Sequence, residues 1–206
     1  MSKFRTWEKK SGVNVIAGNS KLGKIPNLSL LPGVTCAKNA PCNCKGGCYA
    51  KKFLYPCVRK AWGDNTKLAN NPIEFFNSLR EQFIGKKVQW FRFFVSGDIP
   101  SYSFLCKMMQ FVAEFPVTKF LVFTKRYGWV NQWLNTHNRP ENCSIVLSGW
   151  PGYKMVNPHK LPIAWMRDGR DDRIPANAME CPGGCENCGV CWNLPKLGLD
   201  VVFDKH

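Results

Sequence analysis

Eight of the eleven cysteines in this 206-residue chain fall in two short stretches. Thiolates grouped so closely read first as ligands for soft or borderline metals. The later stretch, CPGGCENCGVCW at residues 181–192, supplies Cys181, Cys185, Cys188 and Cys191 in the spacing CxxxCxxCxxC. Gly183, Gly184 and Gly189 give its backbone freedom to wrap a compact centre. Structural zinc sites commonly join two CxxC knuckles across a long spacer, so that four sulfurs reach tetrahedral positions. That spacer is missing here. Closely repeated gaps suit a sulfide-bridged cubane, whose iron corners a short chain can visit in turn, and the bacterial ferredoxin run uses the same gaps in the opposite order. The tail is therefore expected to hold an iron-sulfur cluster of the 4Fe-4S type, with zinc as the alternative.

The earlier stretch, TCAKNAPCNCKGGCYA, supplies Cys36, Cys42, Cys44 and Cys48. Its gaps serve zinc, iron-sulfur and copper chemistry alike, so metal ligation is expected without a choice of metal. The two groups could make two centres or share one. Lys38, Lys45, Lys51 and Lys52 surround the first group, where they would help to keep thiolates ionised, raise a cluster's potential or receive a phosphate. Cys57, Cys106 and Cys143 fall in apolar segments and are expected to pack.

The formal net charge is +15, and twelve of the 29 Lys and Arg lie in the first 60 residues beside the single acid Glu8. So basic a field implies an anionic partner, a nucleotide or nucleic acid above all. The N-terminus carries positive charge with no apolar run behind it, and no stretch approaches the roughly 18 apolar residues of a membrane span. A cytoplasmic setting with no membrane partner is expected. Reducing conditions there would keep the cysteines free of disulfides.

The elements that must position these residues repeat one grammar: an apolar strand, a small polar knot, then a helix. VQWFRFFVSGDIPSYSF gives a strand over 88–95, the knot Ser96, Gly97 and Asp98, and a helix started by Ser101 or Ser103. KFLVFTKRYGWVNQWL gives a strand over about 119–123, the knot Thr124, Lys125 and Arg126, and a helix. CSIVLSGWPG ends its strand at Ser148, Gly149 and Trp150, and LPIAWMRDGRDD repeats the pattern more weakly near Asp168. IPNLSLLPGVTC adds a strand that runs into the first cysteine loop. YAKKFLYPCVRKAW and NPIEFFNSLREQFI read as helices, the latter with Asn71 as cap and Pro72 in its first turn. The fold class is α/β, with about five mainly parallel strands in one domain. Residues 19–48 form a strand and cysteine loop, 49–175 a βα core, and 176–206 a cysteine-rich tail. The chain is too short by some 50 residues for a closed eight-stranded barrel. A partial or open (β/α) barrel is expected, with a doubly wound sheet as the rival.

Ligands of such folds gather at the carboxyl ends of the strands, where every polar knot lies. Asp98, Lys125 and Arg126 are the candidate catalytic residues; Arg offers a phosphate a fork and Lys a point charge. Ser96, Gly97, Ser148 and Trp150 are the candidate cofactor-binding residues, although Ser, Gly and Asp also serve simply as turns. The cluster is expected at this same carboxyl edge.

With these residues in view, the chain resembles the phage protein family called gene product 88. The matching pieces are NSKLGKIPNLSLLPGVTC, GCYAKK, FRFFVSGDIPS, FLVFTKR, ECPGGCENCGVCWNL and VVFDKH. The resemblance implies a phage or prophage setting, hence the host cytoplasm, and a cysteine-rich domain more than a reaction. A looser likeness is to radical S-adenosylmethionine enzymes, in which a cysteine loop follows the first strand of a partial barrel and leaves one iron open for the cofactor. The loop from Cys36 to Cys48 and the SGD at 96–98 occupy similar places. The first loop lacks that family's CxxxCxxC spacing, however. The copy that has it, Cys181 to Cys188, lies near the other end with Cys191 ready to close the fourth iron.

Two further functions fit the same residues. One is a non-enzymatic zinc protein that binds nucleic acid through its basic first third, stacking bases on Trp62, Tyr49, Trp150 or Trp192. The other is a phage protein that binds a host protein and uses metal only to fold. His137, His159 and His206 stand beside no nucleophile in the manner of a hydrolytic triad. Asp171 and Asp172, between Arg170 and Arg173, read as a salt-bridged loop.

Overall fold

The aromatic run around Phe91 becomes a strand at the heart of a parallel sheet because every second side chain points into the same core. In the computed structural model, which describes residues 7, 12–44, 48–52, 55–169 and 172–204, the elements follow in this order. β1 (Asn27–Leu28) leads to α1 (Pro41–Cys44), α2 (Tyr49–Lys52), α3 (Pro56–Leu68) and α4 (Pro72–Phe83). Then come β2 (Trp90–Phe93), α5 (Tyr102–Glu114), β3 (Lys119–Thr124), α6 (Tyr127–Leu134), β4 (Cys143–Gly149) and β5 (Ile163–Arg167). The tail contributes β6 (Met179–Glu180), α7 (Cys185–Cys188), a 3-10 turn (Val190–Trp192), α8 (Leu194–Leu197) and β7 (Val201–Asp204).

The seven strands among the described residues form one open sheet in the order β1-β2-β3-β4-β5-β7-β6. Each named pair is parallel; Phe91 stands opposite Phe120, and Phe120 opposite Cys143. The expected α/β class and open, non-closed architecture are present, with two strands beyond the five foreseen. Both come from the tail: β7 inserts between β5 and the two-residue β6.

The two faces of the sheet bury different things. Phe91, Phe93, Phe120, Val122, Ile145 and Leu147 join Phe75, Phe76, Leu79 and Phe83 of α4 and Phe104, Met108 and Phe111 of α5 in the larger core. Burying each such side chain is worth about 1.5–3 kcal/mol, so this face dominates stability. The helices start where the sequence indicates. Asn71 accepts from the Glu74 amide ahead of Pro72, and Ser101 from the Phe104 amide. The opposite face carries Leu121, Val146 and Ala164 and is covered by Leu22 and Ile25 from before β1 and by Trp192 and Leu194 from the tail.

Three local expectations change. The strand foreseen over 88–95 shortens to Trp90–Phe93, and Phe94 follows it with φ of 54°. The helix foreseen from Tyr49 to Trp62 divides into α2 and α3, with Pro56 setting the first turn of the second. Cys57 is exposed instead of packed, whereas Cys143 is buried. Its thiol is pushed up to about 12 by that burial. Among the described residues no helix is long and apolar enough to cross a membrane.

Candidate functional site: two groups of thiols

The first group leaves the carboxyl end of β1, where Ser29 and Leu30 are tied to the SGD turn. The Leu30 amide donates to the Ser96 carbonyl at 3.0 Å and the Ser96 amide to Ser29 Oγ at 3.2 Å. Gly97 has φ of 78°, and a Cβ there would meet Leu30 Cβ and Thr35 Oγ1 at 2.8 Å. Only glycine fits this turn without strain.

Asp98 is buried, and its carboxylate is fully engaged inside the protein. Oδ1 accepts from the Ile99 amide at 2.8 Å and from Thr124 Oγ1 at 2.6 Å, and Oδ2 accepts from the Lys125 amide at 2.9 Å. Burial raises its pKa against the pull of these donors. The residue thus clasps the end of β2 to the end of β3. Arg126 braces the same junction, donating through Nε to the Ile99 carbonyl at 3.0 Å and through Nη2 to the Thr35 carbonyl at 2.6 Å. Its guanidinium lies 4.4 Å from the Trp129 ring centre. Lys125 is different. Its ammonium stands 5.2 Å from the centre of the Trp150 ring and lowers the pKa of Cys42. Ser148 Oγ belongs to a half-buried residue, while its carbonyl accepts from the Tyr127 hydroxyl.

Cys36, Cys42 and Cys48 share this crevice. Burial raises Cys36, the Gly33 amide at 3.4 Å from its sulfur opposes the rise, and Asp98, Cys42 and Cys48 add to it. Cys42 is likewise raised by burial and lowered by Lys125. Cys44 falls in α1, with its side chain outside the described residues, as are Lys45 and the side chain of Lys52. Tyr49 stands beside these thiols with its ring partly exposed and its hydroxyl end turned inward. Its hydroxyl donates to the Val95 carbonyl at 2.6 Å, and its phenol is raised by burial and lowered by Arg92.

The second group does not lie at the carboxyl edge, where the sequence placed it. The tail must return from the end of β6 to the start of β7, so it crosses the smaller-core face of the sheet and carries its cysteines with it. The Cys181 amide extends the pairing with β7 by donating to the Val202 carbonyl at 2.8 Å, and the Cys185 amide donates to the Lys21 carbonyl at 2.8 Å. Trp192 anchors the crossing: Nε1 donates to the Phe91 carbonyl at 3.1 Å, and its ring stacks on Trp90 at 5.5 Å between centroids. Gly189 turns the chain at φ of 62°, and a Cβ on it would meet the Trp90 ring at 2.5 Å.

Cys181, Cys185 and Cys191 pack against the smaller core, and all four tail cysteines are half-buried. Cys191 is pushed up to about 12, by burial first and then by Cys181, with Cys185 and Cys188 also contributing and Arg92 opposing. Cys185 is raised by burial and lowered by Arg92 and then Lys21. Arg92 is thus the cation shared by the tail thiols and Tyr49. Its guanidinium lies 4.8 Å from the Phe123 ring centre, it makes no salt bridge among the described residues, and its Nε is buried without a hydrogen-bond partner. Nothing in the sequence analysis singled it out, although it is the lone cation inside VQWFRFFV.

Among the described residues no three His, Cys, Asp or Glu side chains stand together as a ready-made site for a metal ion. The donor chemistry of the tail nevertheless fits a thiolate-held centre. Four thiols share one half-buried patch, burial raises Cys185 and Cys191, Arg92 and Lys21 oppose the rise at Cys185, and the Glu186 carboxylate is engaged by the Lys24 amide at 2.6 Å. His206, Arg170 and Asp171 lie outside the described residues. Arg173 donates to the Trp150 and Tyr153 carbonyls and faces the Trp165 ring at 5.4 Å. His137 stacks on Trp133 at 4.8 Å.

Fold and thiols together define the class: an open parallel α/β protein with one cysteine group at the carboxyl edge of its sheet and another across one face. The chain belongs to the Gene product 88 family, whose sequence profile it matches over residues 5–194. No curated protein and no solved structure matches it.

Proposed function

We propose that the protein binds an iron-sulfur cluster, of the 4Fe-4S type, through Cys181, Cys185, Cys188 and Cys191, and serves redox or radical chemistry on an anionic substrate in the cytoplasm of a phage host. The observation that carries this reading is the tail patch itself. Four thiols lie within eleven positions in one half-buried patch on the smaller core, with Arg92 and Lys21 as the cations that oppose the rise at Cys185. Four thiolates in such a patch demand a strongly positive core, and their run lacks the spacer usual in zinc knuckles. Bound there, a cluster would supply electrons one at a time.

Cys36, Cys42 and Cys48, with Cys44, would hold a second centre or an open one at the carboxyl edge, the place an S-adenosylmethionine ligand would need. Of the three residues first assigned to substrate, Lys125 has its ammonium available to meet an anion beside Trp150. Asp98 and Arg126 act by fixing the crevice, through the bonds described above. Ser96 has a buried hydroxyl oxygen with no partner among the described residues, which suits a ligand at the SGD turn.

A zinc-bound, non-enzymatic nucleic-acid-binding protein is the second reading, favoured by the basic first third of the chain. Purification without oxygen followed by iron, zinc and acid-labile sulfide analysis separates the two. Brown protein with matching iron and sulfide is the expected result; colourless protein carrying stoichiometric zinc would overturn the cluster assignment.

A further inference from the structure

Lys24, Ile25 and Pro26 lead into β1, and Lys86, Lys87, Val88 and Gln89 lead into β2. Because β1 and β2 are parallel neighbours, the two lead-ins arrive together at the amino edge of the sheet. There, with Trp7, Trp90 and Glu186, they line a cleft of about 470 Å³. That volume falls within the roughly 300–1,000 Å³ usual for small-molecule sites. It lies at the other end of the strands from Lys125 and Trp150, so it is a separate place.

The lining combines cations with aromatic surface. Lys24, Lys86 and Lys87 are exposed, and the Lys86 ammonium stands 5.4 Å from the centre of the Trp7 ring. Trp90 is half-buried and backed by its stack on Trp192, which holds it rigidly in place. Among the described residues the one acid in the lining is Glu186, whose Oε2 accepts from the Lys24 amide. A second cleft, of about 540 Å³, makes the contrast: among the described residues Glu74 and Glu81 line it and no Lys or Arg does. Any anion would be drawn to the first and repelled from the second.

We propose that the amino-edge cleft binds a nucleotide unit, its phosphate held by Lys24, Lys86 and Lys87 and its base lying against the Trp7 and Trp90 surfaces. Lysines that act as point charges, together with tryptophans, bind phosphate and base with little sequence preference. A free nucleotide and a residue of single-stranded nucleic acid present the same chemistry. The site goes beyond the cluster assignment and does not depend on it. It still adjoins the tail, because Glu186 lies between Cys185 and Cys188 and Gly189 abuts Trp90.

The test is fluorescence anisotropy with a short fluorescein-labelled oligothymidylate, using the full chain and, as competitors, ADP and inorganic phosphate. Lys86→Glu/Lys87→Glu should weaken binding about tenfold or more and flatten the salt dependence by about two phosphate contacts. Lys67→Glu, at an exposed lysine on α3, should leave it within about twofold. Displacement by ADP would identify a nucleotide site, and displacement by unlabelled strand alone a single-strand site. Equal weakening by Lys67→Glu and the double variant, or no binding by the wild type, would overturn the proposal. Lys86→Gln/Lys87→Gln, checked for an unchanged thermal transition, guards against misfolding of the charge-reversed protein. Iron and sulfide content is scored separately, so loss of the cluster reading leaves this result interpretable.

Discussion

The loop bearing Cys36, Cys42 and Cys48 emerges at the carboxyl edge of the sheet beside a buried carboxylate, whereas the tail bearing Cys181, Cys185, Cys188 and Cys191 lies across a sheet face beside a guanidinium. In the first region Asp98 adds to the rise at Cys36 and Cys42, and Lys125 opposes it at Cys42. In the second, Arg92 and Lys21 both oppose the rise at Cys185. Two similar cysteine groups thus have different charged neighbours. In both regions burial is the first cause of the rise, and what differs is the charge beside the thiols, a carboxylate with one lysine at the loop and an arginine with one lysine at the tail.

The largest effect should come from exchanging sulfur for oxygen in each region separately. Cys185→Ser/Cys191→Ser should abolish nearly all tail-bound iron and sulfide, while Cys36→Ser/Cys42→Ser should leave the tail's share in place. Equal loss from either pair would show that the two groups furnish one shared centre, and the contrast between them would then break down.

Next in size is the removal of the carboxylate that distinguishes the loop. Asp98→Ala strips partners from the Ile99 and Lys125 amides and from Thr124 Oγ1 in a buried place. Unsatisfied buried donors cost about 1–3 kcal/mol each, so the expected loss is about 3 kcal/mol or more in urea unfolding. Thr124→Val removes one donor to Asp98 and the acceptor of the Arg126 amide while leaving the other two Asp98 bonds, for a smaller loss of about 1–3 kcal/mol. If the alanine variant were as stable as the wild type, the clasp between β2 and β3 would be unimportant, and Asp98 would return as a candidate for contact with substrate.

The sheet's strands and caps could be read from sequence because they follow local rules. β3 was expected over about 119–123 and runs from Lys119 to Thr124; Asn71, Pro72 and Ser101 start their helices as their types indicate. The tail was harder because its placement depends on non-local pairing. VVF at residues 201–203 is a short run near the end of the chain. Nothing within it tells that it slots between β5 and β6 and so draws the cysteines over one face. The roles of Asp98 and Arg126 were hidden for a related reason. A polar knot at a strand end looks the same whether its side chains meet a ligand or a neighbouring turn, and only the positions of Thr35 and Ile99 decide between them.

Arg92 offers the finest test of the comparison. The alternation of β2 puts Phe91 and Phe93 in the helix-side core and Trp90 and Arg92 on the tail side. A buried guanidinium nitrogen without a partner among the described residues is costly unless an anion stands near, and Cys185 and Cys191 are, with Tyr49, the groups on which its field acts. Positive charge beside a cluster favours the reduced, more negative state. Arg92→Gln should therefore make the midpoint potential more negative, by about 59 mV for a tenfold weaker preference in a one-electron couple. Arg92→Lys should retain most of the wild-type value. Measured at equal iron and sulfide content, an unchanged midpoint in the glutamine variant would mean that the field of the tail is set elsewhere, with Lys21 the next residue to change. If the protein holds zinc instead, affinity against a chromogenic chelator should fall in the same order, because four thiolates around any cation leave negative charge for Arg92 to balance.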